Sequence, residues 1–134
     1  MVLDTSALLA ILRDEPERRS FNEAIEESEL RLLSVASFVE TSIVLEARFG
    51  AEGVRDLDLL ISKANLSLVD VDQEQAHHAR EAYRRYGKGR HRAGLNFGDC
   101  FAYALASARH EPLLYKGADF RATDIASHTA STSG

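Results

Sequence analysis

Residues 1–12 read MVLDTSALLAIL, in which a short apolar pair runs directly into an apolar helix pattern. Val2 and Leu3 are typical of the end of a buried strand. The apolar residues that follow recur at helical spacing, and they are Ala7, Leu8, Ile11 and Leu12. Asp4, Thr5 and Ser6 form the junction between the two patterns. The stretch therefore predicts the first strand-to-helix unit of an α/β fold.

The same order of strand and helix repeats along the rest of the chain. Apolar runs predict further strands at residues 31–35, 66–71 and 112–115, with a short fifth strand near 123–126. Amphipathic spacing predicts a helix that opens at Pro16 and others at residues 36–49, 52–64, 73–86 and 96–109. Strands that alternate with helices pair in parallel through right-handed crossovers. The sequence therefore predicts a three-layer α/β/α sandwich with a central parallel sheet of four to five strands.

Length and composition fit one globular domain. The chain has 134 residues, of which 45% are hydrophobic, and this is enough to bury a substantial core. We assign residues 1–126 to the domain. Residues 127–134, SHTASTSG, are small and polar, so we expect them to form a frayed or disordered tail.

Charge and cysteine content exclude several classes of protein. A net charge of −5 argues against a protein that coats nucleic acid through its overall charge, so such contact needs a local basic patch. The single cysteine, Cys100, excludes an internal disulfide framework. The N-terminus lacks the basic segment of a signal peptide, and no apolar stretch approaches the length of a membrane span. We expect a soluble cytoplasmic protein without membrane contact.

Four acidic residues stand where the predicted fold leaves a strand or enters a helix. Asp4 ends the first strand and Asp119 follows the fourth, while Glu40 and Asp99 lie early in helices. The carboxyl ends of parallel strands and the starts of the helices after them share one edge of a sheet. The sequence therefore predicts that the four carboxylates gather at that edge.

Each acid also has a purely structural explanation. Asp4 can cap the first helix, Ser37 with Glu40 spells a capping box, and Asn96 with Asp99 nearly spells another. Taken one at a time, capping is the simpler interpretation of each residue.

Helical wheels favour a shared cation over capping alone. The stripe that carries Glu40 holds Ala36, Ile43, Val44 and Ala47, and the stripe that carries Asp99 holds Ala102, Tyr103 and Ala106. A buried carboxylate needs a partner, and no basic residue lies on either stripe. Converging acids suit a hard divalent ion better than a side-chain cation. We therefore predict a site for Mg²⁺ or Mn²⁺ formed by Asp4, Asp99, Glu40 and Asp119.

A site of this kind points to hydrolysis of a phosphodiester bond. Mg²⁺ held by carboxylates keeps several waters, one of which becomes acidic enough to attack phosphorus while the ion neutralises the developing charge. Ser6 and Thr5 could orient such a water or bind a phosphate oxygen, although capping of the first helix is an equal alternative. Asn96 carries the same ambiguity.

One basic stretch precedes the last long helix. Residues 84–92, RRYGKGRHR, hold five of the sixteen Lys and Arg residues. Arg84 and Arg85 suit the end of a helix, where the dipole favours positive charge in any protein. The cations that we predict to contact phosphates of the substrate are Lys88, Arg90 and Arg92. The alternative is a solvated helix end without a ligand.

Four blocks of the sequence together resemble a known family. They are VLDTSALLAIL at residues 2–12, SFVETSIVLEAR at 37–48, LNFGDCFAYALA at 95–106 and PLLYKGADF at 112–120. The chain is similar to PIN-domain ribonucleases, specifically the VapC-type toxins of bacterial type II toxin–antitoxin systems. The resemblance runs from Met1 to about Ile125, and the blocks occur in the expected order.

The resemblance carries a set of site residues with it. The acidic metal site of the family falls on Asp4, Glu40, Asp99 and Asp119. Asp119 would serve a second ion or position a water. The family's hydroxyl beside the first aspartate falls on Ser6, and its polar residue ahead of the third acid falls on Asn96. Asp124 could extend the acidic rim, but capping of a helix or turn is the better interpretation.

The resemblance also implies an activity and partners. It implies a Mg²⁺- or Mn²⁺-dependent endoribonuclease that cleaves RNA, often transfer RNA or another structured RNA, to leave a 5′-phosphate. It implies a homodimer and a cognate VapB-type antitoxin. Such an antitoxin inserts a segment into the active-site groove and often places an arginine among the carboxylates, which is consistent with the charge of the cluster.

Two other classes of function fit parts of the pattern. A phosphoacceptor signalling domain also gathers acids at the edge of a parallel sheet and uses a nearby lysine, for which Lys116 is a candidate. That class needs an acidic pair after the first strand, whereas Asp4 is followed by Thr5 and Ser6. A domain of the same fold that only binds RNA or protein is the other alternative, and the presence of all four acids argues against it.

Overall fold

The computed structural model describes residues 1–134 and contains four strands, six α-helices and one 3₁₀-helix. In chain order they are β1 (Val2–Leu3), α1 (Thr5–Leu12), α2 (Arg18–Glu27), β2 (Leu32–Ser34), α3 (Val35–Phe49), α4 (Ala51–Lys63), β3 (Ser67–Val69), α5 (Gln73–Tyr86), α6 (Phe97–Arg109), β4 (Leu113–Leu114) and a 3₁₀-helix (Phe120–Ala122). Strands alternate with helices along the chain, as the apolar periodicity predicts.

The four strands form one parallel sheet with the order β3-β2-β1-β4. Val2 of β1 is in register with Leu32 on one side and with Leu113 on the other. The chain therefore starts in the middle of the sheet, adds β2 and β3 on one side, and then crosses to β4 on the other. The strand order reverses beside β1, and open α/β sheets bind ligands at the carboxyl edge of such a position.

The two faces of the sheet pack against different helices. Val2, Leu32 and Leu113 belong to a core shared with buried residues of α5 and α6. The next residue of each of these strands, exemplified by Leu3 and Leu33, belongs to a second core shared with helices α1 to α4. Because successive side chains of a strand point to opposite faces, a two-residue strand is enough to join both cores. The predicted three-layer α/β/α sandwich is confirmed.

Two local predictions are wrong. Pro16 lies in a turn, and α2 begins two residues later at Arg18. Residues 123–126 do not form a fifth strand, because local hydrogen bonds hold this segment. The Thr123 hydroxyl donates to the Phe120 carbonyl and accepts from the backbone N–H of Ile125.

Residues 127–132 do not behave as the frayed tail that their composition favours. Single parallel bridges join Ser127 to Leu113 and Thr132 to Lys116. The Ser131 hydroxyl donates to the Leu113 carbonyl at 3.0 Å. The segment therefore covers the outer edge of β4. Small polar residues can do this because their hydroxyl groups and their backbone both hydrogen-bond to this edge.

None of the six helices is both long enough and apolar enough to cross a bilayer.

Candidate functional site

Asp4 lies at the carboxyl end of β1 and caps α1. Its side chain is only 4% exposed, and its Oδ2 accepts hydrogen bonds from the backbone N–H of Ser6 at 3.0 Å and from the Ser6 hydroxyl at 2.7 Å. Its other oxygen, Oδ1, is buried without any hydrogen-bond partner. Burial, with a smaller contribution from the charge of Glu40, raises the pKa of Asp4 to about 6 against the opposing bonds from Ser6. Capping therefore uses only one of the two oxygens of this carboxylate.

Ser6 ties Asp4 to the neighbouring strand of the sheet. While its hydroxyl donates to Asp4, the same oxygen accepts the backbone N–H of Lys116, just after β4, at 2.9 Å. The hydrogen of the Ser6 hydroxyl is thus already engaged. This geometry makes Ser6 a residue that positions Asp4, and it leaves less support for the sequence-based suggestion that Ser6 orients a water or a phosphate.

Glu40 is held by buried hydroxyl groups. Thr5 donates its hydroxyl to Oε1 of Glu40 at 2.7 Å. The Thr41 hydroxyl lies 3.1 Å from the Thr5 oxygen and 2.7 Å from the Ser37 carbonyl, to which it donates. Thr5, Ser37 and Thr41 are all buried. The network joins the start of α1 to α3 and fixes the direction in which Glu40 points.

The side of α3 that faces the core is not the one that the helical wheel suggests. The buried residues of α3 are Ser37, Thr41 and Leu45, whereas Ile43, on the predicted apolar stripe of Glu40, is 62% exposed. The proposed capping box of Ser37 and Glu40 is also wrong, because Ser34 caps α3 by accepting from the N–H of Ala36. Glu40 is therefore free of a capping role.

Gly98 provides the space that Glu40 occupies. A β-carbon at Gly98 would lie 1.9 Å from Oε2 of Glu40 and 2.4 Å from its carboxyl carbon. Any other residue at this position of α6 would require the carboxylate to move. The close approach brings Glu40 of α3 directly onto the first turn of α6, where Asp99 lies.

Asp99 is part of a complete capping box at the start of α6. Oδ1 of Asn96 accepts the N–H of Asp99 at 2.9 Å, and Oδ2 of Asp99 accepts the N–H of Asn96 at 3.0 Å. The stripe of Asp99 is buried as predicted, since Ala102, Tyr103 and Ala106 all lie in the core. The capping interpretation is correct for Asp99, but it uses only one of the two carboxylate oxygens.

The charges of the other three acids converge on Asp99. Burial, together with the charges of Asp4, Asp119 and Glu40, raises the pKa of Asp99 to about 7 against the opposing bond from Asn96. Asp119 is exposed and makes no capping hydrogen bond, yet its charge reaches Asp99. The four acids predicted from the sequence thus lie at one rim and influence one another.

Asp124 lies apart from this rim and does not cap a turn. It accepts a hydrogen bond from the Tyr103 hydroxyl at 2.5 Å and pairs with Arg85 at 3.4 Å. Both suggestions made for it from sequence, an extension of the rim and a cap, are therefore wrong.

No side-chain cation neutralises the four acids. Every salt bridge of the protein involves other carboxylates, and Lys116 turns toward Glu15 and Glu17, at 3.5 and 3.1 Å. No three acidic, histidine or cysteine side chains are arranged as ligands of one ion. The residues nevertheless suit a divalent cation, because one oxygen of Asp4 is buried without a partner and the charges of neighbouring carboxylates act on Asp4 and Asp99. Oxygen donors are what Mg²⁺ and Mn²⁺ prefer.

The basic stretch contains both paired and unpaired cations. Arg84 pairs with Glu81 and Arg85 pairs with Asp124. The exposed cations without an acidic partner are Lys88, Arg90 and Arg92. These three lie between α5 and α6, ahead of the helix start that carries Asp99.

Sequence reasoning missed two contributors to the site. Thr41 is recognisable only as the partner of Ser37 one turn earlier, since two hydroxyl residues at this spacing on a buried face imply an internal network. Gly98 gives no such signal, because its role depends on the approach of a side chain from another helix.

Comparison with known proteins gives one consistent result. The PIN domain family matches residues 1–126. Ribonuclease VapC of Mycolicibacterium smegmatis is 58% identical over 126 residues, which cover 94% of this chain and 98% of that protein. Ribonuclease VapC30 of Mycobacterium tuberculosis strain H37Rv is also 58% identical, over 94% of this chain and 96% of that protein.

Solved structures share the fold at lower sequence identity. The sarcin-ricin-loop-cleaving toxin VapC20 of Mycobacterium tuberculosis superposes with a TM-score of 0.75 at 15% identity, covering 95% of this chain and 97% of that one. VapBC2 of Rickettsia felis, bound to a DNA fragment from its promoter, gives a TM-score of 0.73 at 14% identity, covering 95% and 96% of the two chains.

We expect Asp99→Asn to raise the melting temperature of the metal-free protein at pH 8 by about 3–5 °C. Folding raises the pKa of Asp99 from 3.8 to about 7, so the group's contribution is most favourable below pH 4 and is lost as the pH rises through 7. The gain should therefore shrink as the pH is lowered from 8 to 4. Thermal melts in EDTA at pH 8, 6 and 4.5 measure it.

The same melts with Mg²⁺ test whether the cluster binds a cation. Mg²⁺ should raise the melting temperature of the unmodified protein but not that of Asp99→Asn. Asp58→Asn, at an exposed position of α4, is the matched control and should respond as the unmodified protein does. An equal rise in all three proteins would mean that the ion binds elsewhere.

Proposed function

The chain belongs to the PIN-domain family and, within it, to the VapC ribonucleases, and from this premise we propose a metal-dependent endoribonuclease toxin whose reaction takes place at the Asp4–Asp99 rim. The observation that carries the proposal is the convergence of four carboxylates without a protein cation, one of them with a buried oxygen that lacks a partner. Converging carboxylates without a protein cation support a metal centre at this rim.

The residues have distinct roles in this proposal. Asp4 and Asp99 would hold Mg²⁺ or Mn²⁺, and Glu40 and Asp119 would complete the set. When bound, the metal supplies a more acidic water and neutralises charge that develops on the phosphate. Ser6 keeps Asp4 aligned with β4.

The bond changes follow from the product that the resemblance implies. The oxygen of a water molecule bonds to phosphorus, and the bond between phosphorus and the 3′-oxygen of the preceding nucleotide breaks. The water gives up a proton, and the departing 3′-oxygen takes one. The products then carry a 5′-phosphate and a 3′-hydroxyl, with no redox partner required.

A phosphoacceptor function has less support. It would use Lys116 beside the acids, but this lysine pairs with Glu15 and Glu17. Labelling with a small phosphate donor would revive the alternative if Asp4 or Asp99 became phosphorylated.

Two partners belong to the proposal besides RNA. A VapB-type antitoxin would place a basic side chain among the carboxylates. VapBC complexes from Rickettsia felis and Salmonella typhimurium share the fold, which supports a partner of this kind. Co-expression that failed to relieve toxicity would exclude a candidate antitoxin.

A homodimer is supported by Val39 and Ile43, apolar side chains exposed one turn apart on α3. Light scattering of Ile43→Asp against the unmodified protein would test it.

The direct test of the function is RNA cleavage by the purified protein. Asp99→Asn and Asp4→Asn should abolish Mg²⁺-dependent cleavage, while both proteins remain folded. Sequencing of new 5′-phosphate ends after incubation with total RNA identifies substrate and chemistry together. EDTA should give the same loss. Undiminished cleavage by Asp99→Asn would contradict the assignment of Asp99 to the reaction site.

Gly98→Ala tests the contact that holds Glu40 in place. Alanine is favoured over glycine in a helix by about 1 kcal/mol, so the substitution should not lower the melting temperature if Glu40 swings toward solvent. Cleavage should nevertheless fall by about 10- to 100-fold, as for other losses of a supporting group around a metal site.

A second substitution separates displacement of Glu40 from other effects of Gly98→Ala. Glu40→Asp shortens the side chain by one methylene, so the double variant should recover part of the cleavage that Gly98→Ala loses. Normal cleavage by Gly98→Ala alone would show that the position of Glu40 does not matter.

The unpaired cations should govern the dependence of RNA binding on salt. Replacing Lys88, Arg90 and Arg92 with glutamine should weaken binding and lower the slope of log affinity against log salt by about 0.7 for each phosphate that the protein no longer neutralises. Arg84→Gln, whose cation already pairs with Glu81, is the control and should leave the slope nearly unchanged. Equal slopes for both variants would contradict the assignment.

A further inference from the structure

An apolar cleft lies between α5 and α6, beside the helix start that carries Asp99. Its volume is about 400 Å³. Ala76 and Ala79 line it from α5, and Cys100 and Phe101 line it from α6. The small side chains of the two alanines leave the space open. None of the roles proposed above uses this cleft.

Two aromatic rings form the mouth of the cleft. Phe97, the first residue of α6, is 79% exposed, and its ring packs edge-on against Phe101 with 4.9 Å between the ring centroids. Tyr83, also partly exposed, faces the cleft from α5. Phe97 precedes Asp99 by two residues. A large apolar ring this exposed, so near a row of carboxylates, is a feature that folding alone does not require.

Cations without acidic partners surround the same mouth. Arg80 lines the cleft, and the guanidinium of Arg90 lies over the Tyr83 ring, 5.6 Å from its centroid. The Lys88 carbonyl accepts a hydrogen bond from the Tyr83 hydroxyl at 3.4 Å. Exposed aromatic faces next to unpaired cations form the combination that binds single-stranded nucleic acid, since bases stack on the rings and phosphates pair with the cations.

We propose that this cleft receives one unstacked base of the RNA, at the same end of α6 as Asp99, with Phe97 and Tyr83 as the stacking surfaces. The inference rests on the proposed ribonuclease function and adds specificity residues to it. A base held here fixes the register of the strand over the Asp4–Asp99 rim. Paired RNA cannot supply such a base without first unstacking, so the cleft selects for an unpaired nucleotide at the cleavage site.

Charge and size favour a base over a second copy of the chain. A symmetric dimer centred on this cleft would bring Arg80, Arg90 and their neighbours against the same residues of the other copy, and like charges repel. The cleft is also too small for a helix but large enough for a planar ring. A strand of RNA offers a base to the apolar surface and phosphates to the cations around it.

Substitutions of Phe97 test the proposal with little risk to folding, because its side chain is largely exposed. They are made in the Asp99→Asn protein, which binds RNA without cleaving it. The probe is an unstructured dodecamer of uridines with one central 2-aminopurine, whose fluorescence falls when the base stacks. Affinity is measured by anisotropy of the same RNA carrying a terminal dye.

We expect Phe97→Ala and Phe97→Leu each to weaken binding by about 5- to 150-fold, the loss that removal of a base–aromatic stack gives, and to abolish the fluorescence change. Phe97→Tyr keeps a ring and should bind as the parent does. Phe49→Ala removes another exposed aromatic, 52% exposed at the far end of α3, and should have no effect.

Three outcomes would overturn the inference. Parent-like binding by Phe97→Ala would show that the ring does not contact RNA. Retention by Phe97→Leu would show that any apolar side chain suffices, and a fall from dimer to monomer mass in Phe97→Ala would identify a second copy as the occupant. RNA cleavage by the unmodified protein distinguishes failure of the proposed function from failure of this inference. If it cuts no RNA, the proposed function fails and this inference with it, whereas normal cutting by the Phe97 variants overturns the inference alone.

Discussion

Repulsion between carboxylates is the constraint on which the arrangement of this protein depends. Asp4, Glu40, Asp99 and Asp119 carry like charges at one rim, and burial, with smaller contributions from the neighbouring charges, raises the pKa values of Asp4 and Asp99. The fold holds them there through bonds that are independent of any ion. These are the caps of α1 and α6 and the hydroxyl network beneath α3. The helix caps and the hydroxyl network thus offset the repulsion between the carboxylates.

This arrangement explains why capping and catalysis are not alternatives here. Asp4 and Asp99 each commit Oδ2 to the start of a helix. That commitment orients the remaining oxygen without using it. Helix N-termini also attract negative charge, so the positions that most easily tolerate a carboxylate are those from which it can serve a cation. A parallel sheet repeats such positions along one edge, which lets residues far apart in sequence contribute to one site.

The sequence predicted the order of elements and the acidic rim well, because both depend on local patterns. Strand composition, helical spacing and caps such as Asn96 are encoded within a few residues of where they act. The wrong and missed predictions share another cause, because they depend on contacts between segments that are far apart in the sequence. The wheel for α3 assumed that apolar residues face inward, but Thr41 makes the buried contacts and Ile43 faces solvent. The pairing of residues 127–132 with β4, like the contact of Glu40 with Gly98, depends on partners that no local window contains.

The contact between Gly98 and Glu40 also has a genetic consequence. Because the proposed cleavage depends on where Glu40 lies, a missense change at the Gly98 codon should let a cell escape inhibition, since every replacement introduces at least a β-carbon where the carboxylate now lies. Such alleles would encode full-length, folded chains. Suppressor screens should therefore recover full-length missense alleles at this codon alongside truncations.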